Sequence, residues 1–115
     1  MTHTATTPSD AFVRAVVLVT LHTDGAADVL SLHERVEKIA ADGGARCPSL
    51  ADLSHALTIL QARNLVKAIE QGAFDFELSD DGTELVAHKI GYMEKHREST
   101  SPFAVAQRLS WEGNA

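Results

Sequence analysis

The hydrophobic pattern of this chain changes its period, and that change is the strongest constraint on what it can fold into. Three segments with apolar residues at three- and four-residue steps come before residue 64, a period near two covers residues 65–78, and a helical pattern then returns. A period of 3.6 indicates amphipathic helices, whereas a period of two indicates half-buried strands. The sequence therefore predicts a mainly α fold with a small β-hairpin after the third helix.

The first predicted helix has its body at Phe12–Leu21, and Ser9 or Asp10 can cap its start. This run is apolar nearly all round, which is typical of a helix at the centre of a small core. Its valines and threonine would also fit a buried strand. We prefer a helix because the run does not alternate and is long for a strand.

Capping signals set the bounds of the next two helices. Ser31 and Glu34 have the S-x-x-E spacing of a capping box, so we expect the second helix to begin at Ser31 and to end near Gly43. Ser49, followed by an acid in the first turn, predicts the start of the third helix, and Asn64 is a suitable stop. The predicted inward stripe of the third helix consists of Leu50, Leu53, Leu57, Ile59 and Leu60.

The remaining elements follow from turn and cap residues. Leu65–Glu70 and Ala73–Leu78 are the predicted strands, with Gln71-Gly72 as a two-residue turn. Ser79 and the acids after it predict a fourth helix that reaches about Arg97. We expect residues 1–8 to be a disordered lead-in, residues 9–97 to form one domain, and residues 98–115 to be a tail with a short docking helix.

Two stretches resemble winged helix-turn-helix regulators. Residues 57–66, LTILQARNLV, look like the end of a recognition helix that runs into the wing, and residues 76–85, FELSDDGTEL, are similar to the L-T-x-x-G-x-x-L junction of PadR-like and MarR-like regulators. The resemblance implies a three-helix core, a wing and a C-terminal helix. It also implies a small DNA-binding transcriptional regulator that acts as a homodimer.

In such a regulator the helix 50–63 would enter the major groove of double-stranded DNA. The residues expected to face bases are His55, Thr58, Gln61 and Arg63, and those expected on phosphates are Ser54 and Lys67.

The charge of the chain favours an alternative function. The net charge is −6, and residues 49–78 contain two cations against four acids. A surface that binds duplex phosphates normally carries clustered Lys and Arg. The alternative is therefore a winged-helix protein-interaction module or adaptor, whose acidic surface binds a protein partner rather than DNA.

Apolar residues of the last two predicted helices form a candidate dimer interface, because C-terminal helices build the dimer in many winged regulators. The predicted set is Leu85, Val86, Ile90, Met93, Phe103 and Trp111. The alternative is that these residues complete the core of a single protomer.

Other chemistry has little support in the sequence. There is no glycine-rich phosphate loop, no G-x-S-x-G elbow and no H-E-x-x-H pair, so we predict neither an enzyme nor a cofactor. His88 and His96 share a helical face with Tyr92 but are separated by about 12 Å of rise, which is too far for one metal ion. We predict no metal site.

The cysteine and the hydropathy pattern bear on the compartment. Cys47 lies just before the third helix, where a helix dipole could lower its thiol pKa and make it a redox switch, although an ordinary core or loop role is the alternative. No apolar run approaches the roughly 18 residues of a membrane span, and residues 1–8 lack the basic and apolar regions of a secretory signal. We therefore expect a cytoplasmic protein.

Overall fold

The computed structural model describes residues 9–71 and 73–111. Over these residues the chain forms five helices and one two-stranded antiparallel sheet, which confirms the mainly α fold with a small hairpin. The elements are α1 (Asp10–Asp24), α2 (Val29–Asp42), α3 (Leu50–Ala62), β1 (Val66–Gln71), β2 (Ala73–Leu78), α4 (Asp80–Lys95) and α5 (Pro102–Trp111). The predicted lead-in at residues 1–8 and the turn residue Gly72 lie outside the described residues.

Helix α1 lies at the centre of the core. Ser9 caps it by accepting a hydrogen bond from the Phe12 N–H at 3.1 Å. Nine of the ten residues from Phe12 to Leu21 are buried. The buried Thr20 hydroxyl donates to the Val16 carbonyl at 2.7 Å, so this polar group is satisfied within the helix. The helical interpretation of Phe12–Leu21 is confirmed, and the strand alternative is wrong.

Helix α2 begins earlier than the sequence predicts. Asp28 is its N-cap and accepts a hydrogen bond from the Ser31 N–H at 2.7 Å, so Ser31 lies inside the first turn rather than at its start. The predicted capping box at Ser31 and Glu34 is therefore wrong. The physical reason is that the Asp28 side chain accepts the hydrogen bond from the Ser31 N–H. Asp28 therefore serves as the N-cap, three residues before the predicted one. The helix ends at Asp42 with Gly43 as its C-cap, and Gly44 has a φ of 70°.

Helix α3 has the predicted cap and stop. The Ser49 side chain accepts from the Asp52 N–H and the Asp52 carboxylate accepts from the Ser49 N–H, both at 3.1 Å, which is a complete capping box. Asn64 adopts a φ of 60° immediately after the helix. Leu53, Leu57 and Leu60 are buried as predicted.

The prediction for Leu50 is wrong, because 43% of this residue is exposed. Leu50 is the first residue of α3. It therefore precedes the turns that pack against α1.

The hairpin is extended by a short contact from the α1–α2 loop. Val66 pairs with Leu78 and Gln71 with Ala73 in the antiparallel ladder. Ala27 adds a bridge on the outer edge of β2, where its N–H donates to the Phe76 carbonyl at 3.0 Å and its carbonyl accepts from the Phe76 N–H at 2.8 Å. This bridge holds the start of α2 against β2.

Helix α5 packs along α1 and completes the core. Val105, Ala106 and Leu109 are buried, and the ring of Phe103 lies 5.5 Å from that of Phe12. None of the helices in the described residues is both long and apolar enough to cross a bilayer.

Candidate interaction surface

The predicted contact residues of α3 lie on the surface. Ser54, His55, Thr58 and Gln61 are exposed, as are Arg63 at the C-cap of α3 and Lys67 on β1. The Thr58 hydroxyl donates to the Ser54 carbonyl at 3.0 Å, which commits its proton to its own helix. Three of these residues, Ser54, Thr58 and Gln61, come together on one wall of a groove.

This groove, which we call the α2–α3 groove, has a volume of about 440 Å³. It lies between the N-terminal turn of α2, one face of α3 and the middle of β2. Its lining residues are Asp28, Val29, Leu30, Ser54, Leu57, Thr58, Gln61 and Phe76. The Ala27–Phe76 bridge positions two of the three walls, because it ties the residue before Asp28 to the strand that carries Phe76.

The groove has an apolar floor and an apolar rim. Leu57 is buried and Phe76 is half-buried against the core, whereas 64% of Leu30 is exposed. Leu50 lies one helical turn before Ser54, on the stripe of α3 that continues through Leu57 to Gln61. Of the four large hydrophobic residues that are exposed in the described part of the chain, Leu30 lines the groove, and Leu50 lies one turn beyond the lining on the same stripe of α3.

The charge of this face is negative. The Ser31 N–H donates to the Asp28 carboxylate, and this bond holds the Asp28 pKa below its ordinary value, so the group is anionic at neutral pH. Helix α3 itself contains no Lys or Arg. Lys67 forms an ion pair with Glu77 across the hairpin, with Nζ 3.2 Å from Oε1. The face therefore offers few cations to a phosphate backbone.

The predicted dimer set divides into three groups. Val86 and Met93 are buried within the protomer, so they leave no surface for a partner. Leu85, Ile90 and Phe103 are half-buried against the core. Trp111, at the end of α5, is 72% exposed.

The polar stripe of α4 forms a stacked surface cluster. The rings of Tyr92 and His96 lie 4.3 Å apart, and the Lys89 ammonium lies 4.9 Å from the centre of the Tyr92 ring. In the described ranges, no group of three or more His, Cys, Asp or Glu side chains could hold a metal ion. The cluster is a set of aromatic and cation–π contacts.

Cys47 has a less reactive environment than its sequence position predicts. Its thiol donates to the Pro48 carbonyl at 3.3 Å and lies 3.7 Å from His33 Nε2. Burial raises the pKa of the Cys47 thiol, and the nearby Glu37 carboxylate raises it further. The hypothesis that a helix dipole lowers this pKa is therefore wrong, because desolvation and a like charge both disfavour the thiolate.

The chain matches no known protein-family model, no curated protein and no solved structure. Asp28 and Leu30, which line the α2–α3 groove, were absent from the predicted site residues. The spacing of Asp28 to Ser31 was a capping signal that could have placed the start of α2, and with it the exposed Leu30, correctly.

Proposed function

We propose that this chain is a winged-helix protein-interaction module, with the α2–α3 groove face as its contact surface. The observation that carries the proposal is the combination of exposed Leu30 and Leu50 with the anionic Asp28 on the face where a winged regulator would meet DNA. Exposed apolar groups gathered on one face favour a protein contact.

Three features support the winged-helix part of the proposal. The core helices α1 to α3 precede the hairpin, as in winged domains, and Ala27 adds a short third segment to the sheet. The junction from β2 to α4 contains the capping serine and the tightly packed Gly82 of the L-T-x-x-G-x-x-L pattern.

Electrostatics argues against duplex DNA as the main partner. Most of the free energy of nonspecific DNA binding comes from counterions released when Lys and Arg neutralise phosphates. Here α3 contributes no such residue before its C-cap, and Lys67 is already paired with Glu77. The Asp28 carboxylate would also repel phosphates at the N-terminus of α2, where a helix dipole alone would attract them.

DNA binding remains the second candidate function, because Ser54, His55, Thr58 and Gln61 are all exposed on α3. These side chains can hydrogen bond to base edges in the major groove. In this candidate the chain is a small homodimeric transcriptional regulator. Its affinity would depend only weakly on salt, since few phosphates are neutralised.

An affinity capture separates the two candidates. The full chain is used as bait in a lysate of its source organism, beside Leu30→Glu and the control variant Ala87→Glu, which places the same charge on an exposed apolar site of α4. We expect a stoichiometric protein that is retained by the wild type and by Ala87→Glu but lost from Leu30→Glu. Recovery of nucleic acid alone, equally well by all three baits, would contradict the proposal.

A further inference from the structure

From the chemistry of its walls, we propose that the α2–α3 groove receives a basic amphipathic helix of a partner protein. One face of that helix would place apolar side chains on Leu57, Phe76 and Leu30, and a lysine or arginine beside it would pair with Asp28. This inference rests on the proposed function, because it specifies the chemistry of the partner that binds the same face.

The shape of the groove favours a helix over a small enclosed ligand. Its volume of about 440 Å³ lies along the stripe of α3 from Ser54 to Gln61. Seven residue steps of a helix span about 10 Å, or two turns. A partner helix of similar length presents apolar residues at i, i+4 and i+7, which matches such a groove.

Charge complementarity favours a positively charged partner helix. Asp28 is the charged residue of the groove lining. The whole chain carries a net charge of −6. An acidic helix would be repelled by this face, whereas a basic one would be steered toward it.

The polar α3 wall of the groove determines how a bound helix would be oriented. Ser54 and Gln61 are exposed on the α3 side of the groove, and Leu30 lies on the α2 side. A partner helix would therefore turn its polar flank toward Ser54 and Gln61 and its apolar stripe toward α2 and β2. This arrangement also makes occupancy of the groove and insertion of α3 into DNA mutually exclusive, since both use Ser54, Thr58 and Gln61.

The test is an amide-resolved NMR titration of the full chain with two synthetic peptides. Both are amphipathic helices with the same leucine face; one carries lysine and arginine on its flanks, and the other carries glutamate at those positions. We expect the basic peptide to shift the amides of Leu30, Ser54, Thr58 and Gln61 and to bind at least about tenfold more tightly than the acidic one.

Two pairs of variants localise the effect. Asp28→Asn keeps a good N-cap and removes the charge, so we expect binding of the basic peptide to weaken by about two- to fivefold, whereas Asp80→Asn removes a charge from the first turn of α4 and should change nothing. Leu30→Glu should weaken binding by at least about tenfold, with Ala87→Glu, at an exposed site of α4, as its control. Circular dichroism of each variant checks the fold, and Leu30→Ser is the substitute if Leu30→Glu does not fold.

The outcomes are distinct. Equal binding of the two peptides, no binding of either, shifts confined to α4 and α5, or no effect of Asp28→Asn would each overturn this inference. If the captured partner still depends on Leu30 in that case, the proposed function stands and only the basic-helix occupant is wrong. If random duplex DNA shifts the same amides and the basic peptide does not, both proposals fail.

Discussion

The Ser79 hydroxyl donates a hydrogen bond to the Asn64 carbonyl at 2.6 Å. The same hydroxyl accepts from the Gly82 N–H at 3.1 Å, and the Ser79 N–H donates to the Leu65 carbonyl at 3.0 Å. One residue therefore caps α4 and also holds the turn that follows α3. This connection fixes α3 relative to the hairpin and thereby positions one wall of the α2–α3 groove.

Ser79→Ala should destabilise the fold by about 1–3 kcal/mol, because it removes the N-cap of α4 and leaves the Asn64 carbonyl without its donor. Urea unfolding followed by circular dichroism measures the loss. Ser99→Ala, at an exposed serine between α4 and α5, is the control and should change the free energy of unfolding by less than about 0.5 kcal/mol. Equal effects of the two variants would contradict the role of Ser79.

Gly82→Ala should destabilise the fold by about 1–3 kcal/mol, because a Cβ at this position would overlap the Leu65 carbonyl oxygen. Gly91→Ala is a matched control in the same helix, where a Cβ meets nothing within 4 Å. That variant should be stabilised by about 0.5–1 kcal/mol, since alanine is the better helix former. Thermal unfolding should show a lower melting temperature for Gly82→Ala and a higher one for Gly91→Ala. A shift of the same sign for both variants would show that the close contact at Gly82 does not prevent a Cβ there.

The Asp28 cap should make stability depend on pH at the acid end. The folded-state pKa of Asp28 lies below its unfolded value, so the stabilisation is fully present above the unfolded pKa of about 3.9 and is lost as the pH falls through the folded pKa. Asp28→Asn caps without titrating, so the stability difference between wild type and variant should change across that window. A carboxyl NMR titration that gives Asp28 an ordinary or raised pKa would contradict this.

Cys47 should react slowly with thiol reagents at neutral pH. Its pKa is raised by burial and by Glu37, and the thiolate is the reactive form. The alkylation rate of the native protein should therefore be lower than that of the urea-unfolded protein and should rise only at higher pH. Glu37→Gln should bring the rate closer to that of the unfolded chain; a native rate above the unfolded one would restore the redox-switch hypothesis.

The tail helix should contribute to stability through Phe103 and not through Trp111. Phe103 is half-buried and packs on Phe12, so Phe103→Ala should cost about 2–4 kcal/mol, whereas Trp111→Ala at the exposed end of α5 should cost less than about 0.5 kcal/mol. Chemical unfolding measures both. A large, concentration-dependent loss for Trp111→Ala would instead indicate that Trp111 lies in a dimer interface, which stays a prediction.

The sequence predicts the fold well where local signals act alone. The Ser49–Asp52 capping box, the left-handed Asn64 and the change of period at the hairpin are all local, and the structure has each of them. The predicted start of α2 is wrong because two residues near it, Asp28 and Ser31, can both act as an N-cap. In the structure Asp28 is the N-cap.

The candidate site was harder to predict, because it depends on contacts between distant parts of the chain. The Ala27–Phe76 bridge, which places the start of α2 beside β2, joins residues that are far apart in sequence, and no local spacing indicates it. The exposed polar face of α3 followed from helical periodicity. The burial of Val86 and Met93 in the protomer did not follow from periodicity. An apolar stripe on a helix is compatible both with burial in the protomer's own core and with burial against a second protomer.

We propose that the α2–α3 groove face binds protein rather than duplex DNA. Its most direct test follows the amide signals of Leu30, Ser54, Thr58 and Gln61 in the full chain while either the captured partner or a duplex from its own promoter is added at about 50 mM salt, where phosphate contacts are strong. We predict that the partner shifts these four signals to saturation and that the duplex leaves them in place. Saturating shifts with the duplex and none with the partner would contradict protein binding at this face.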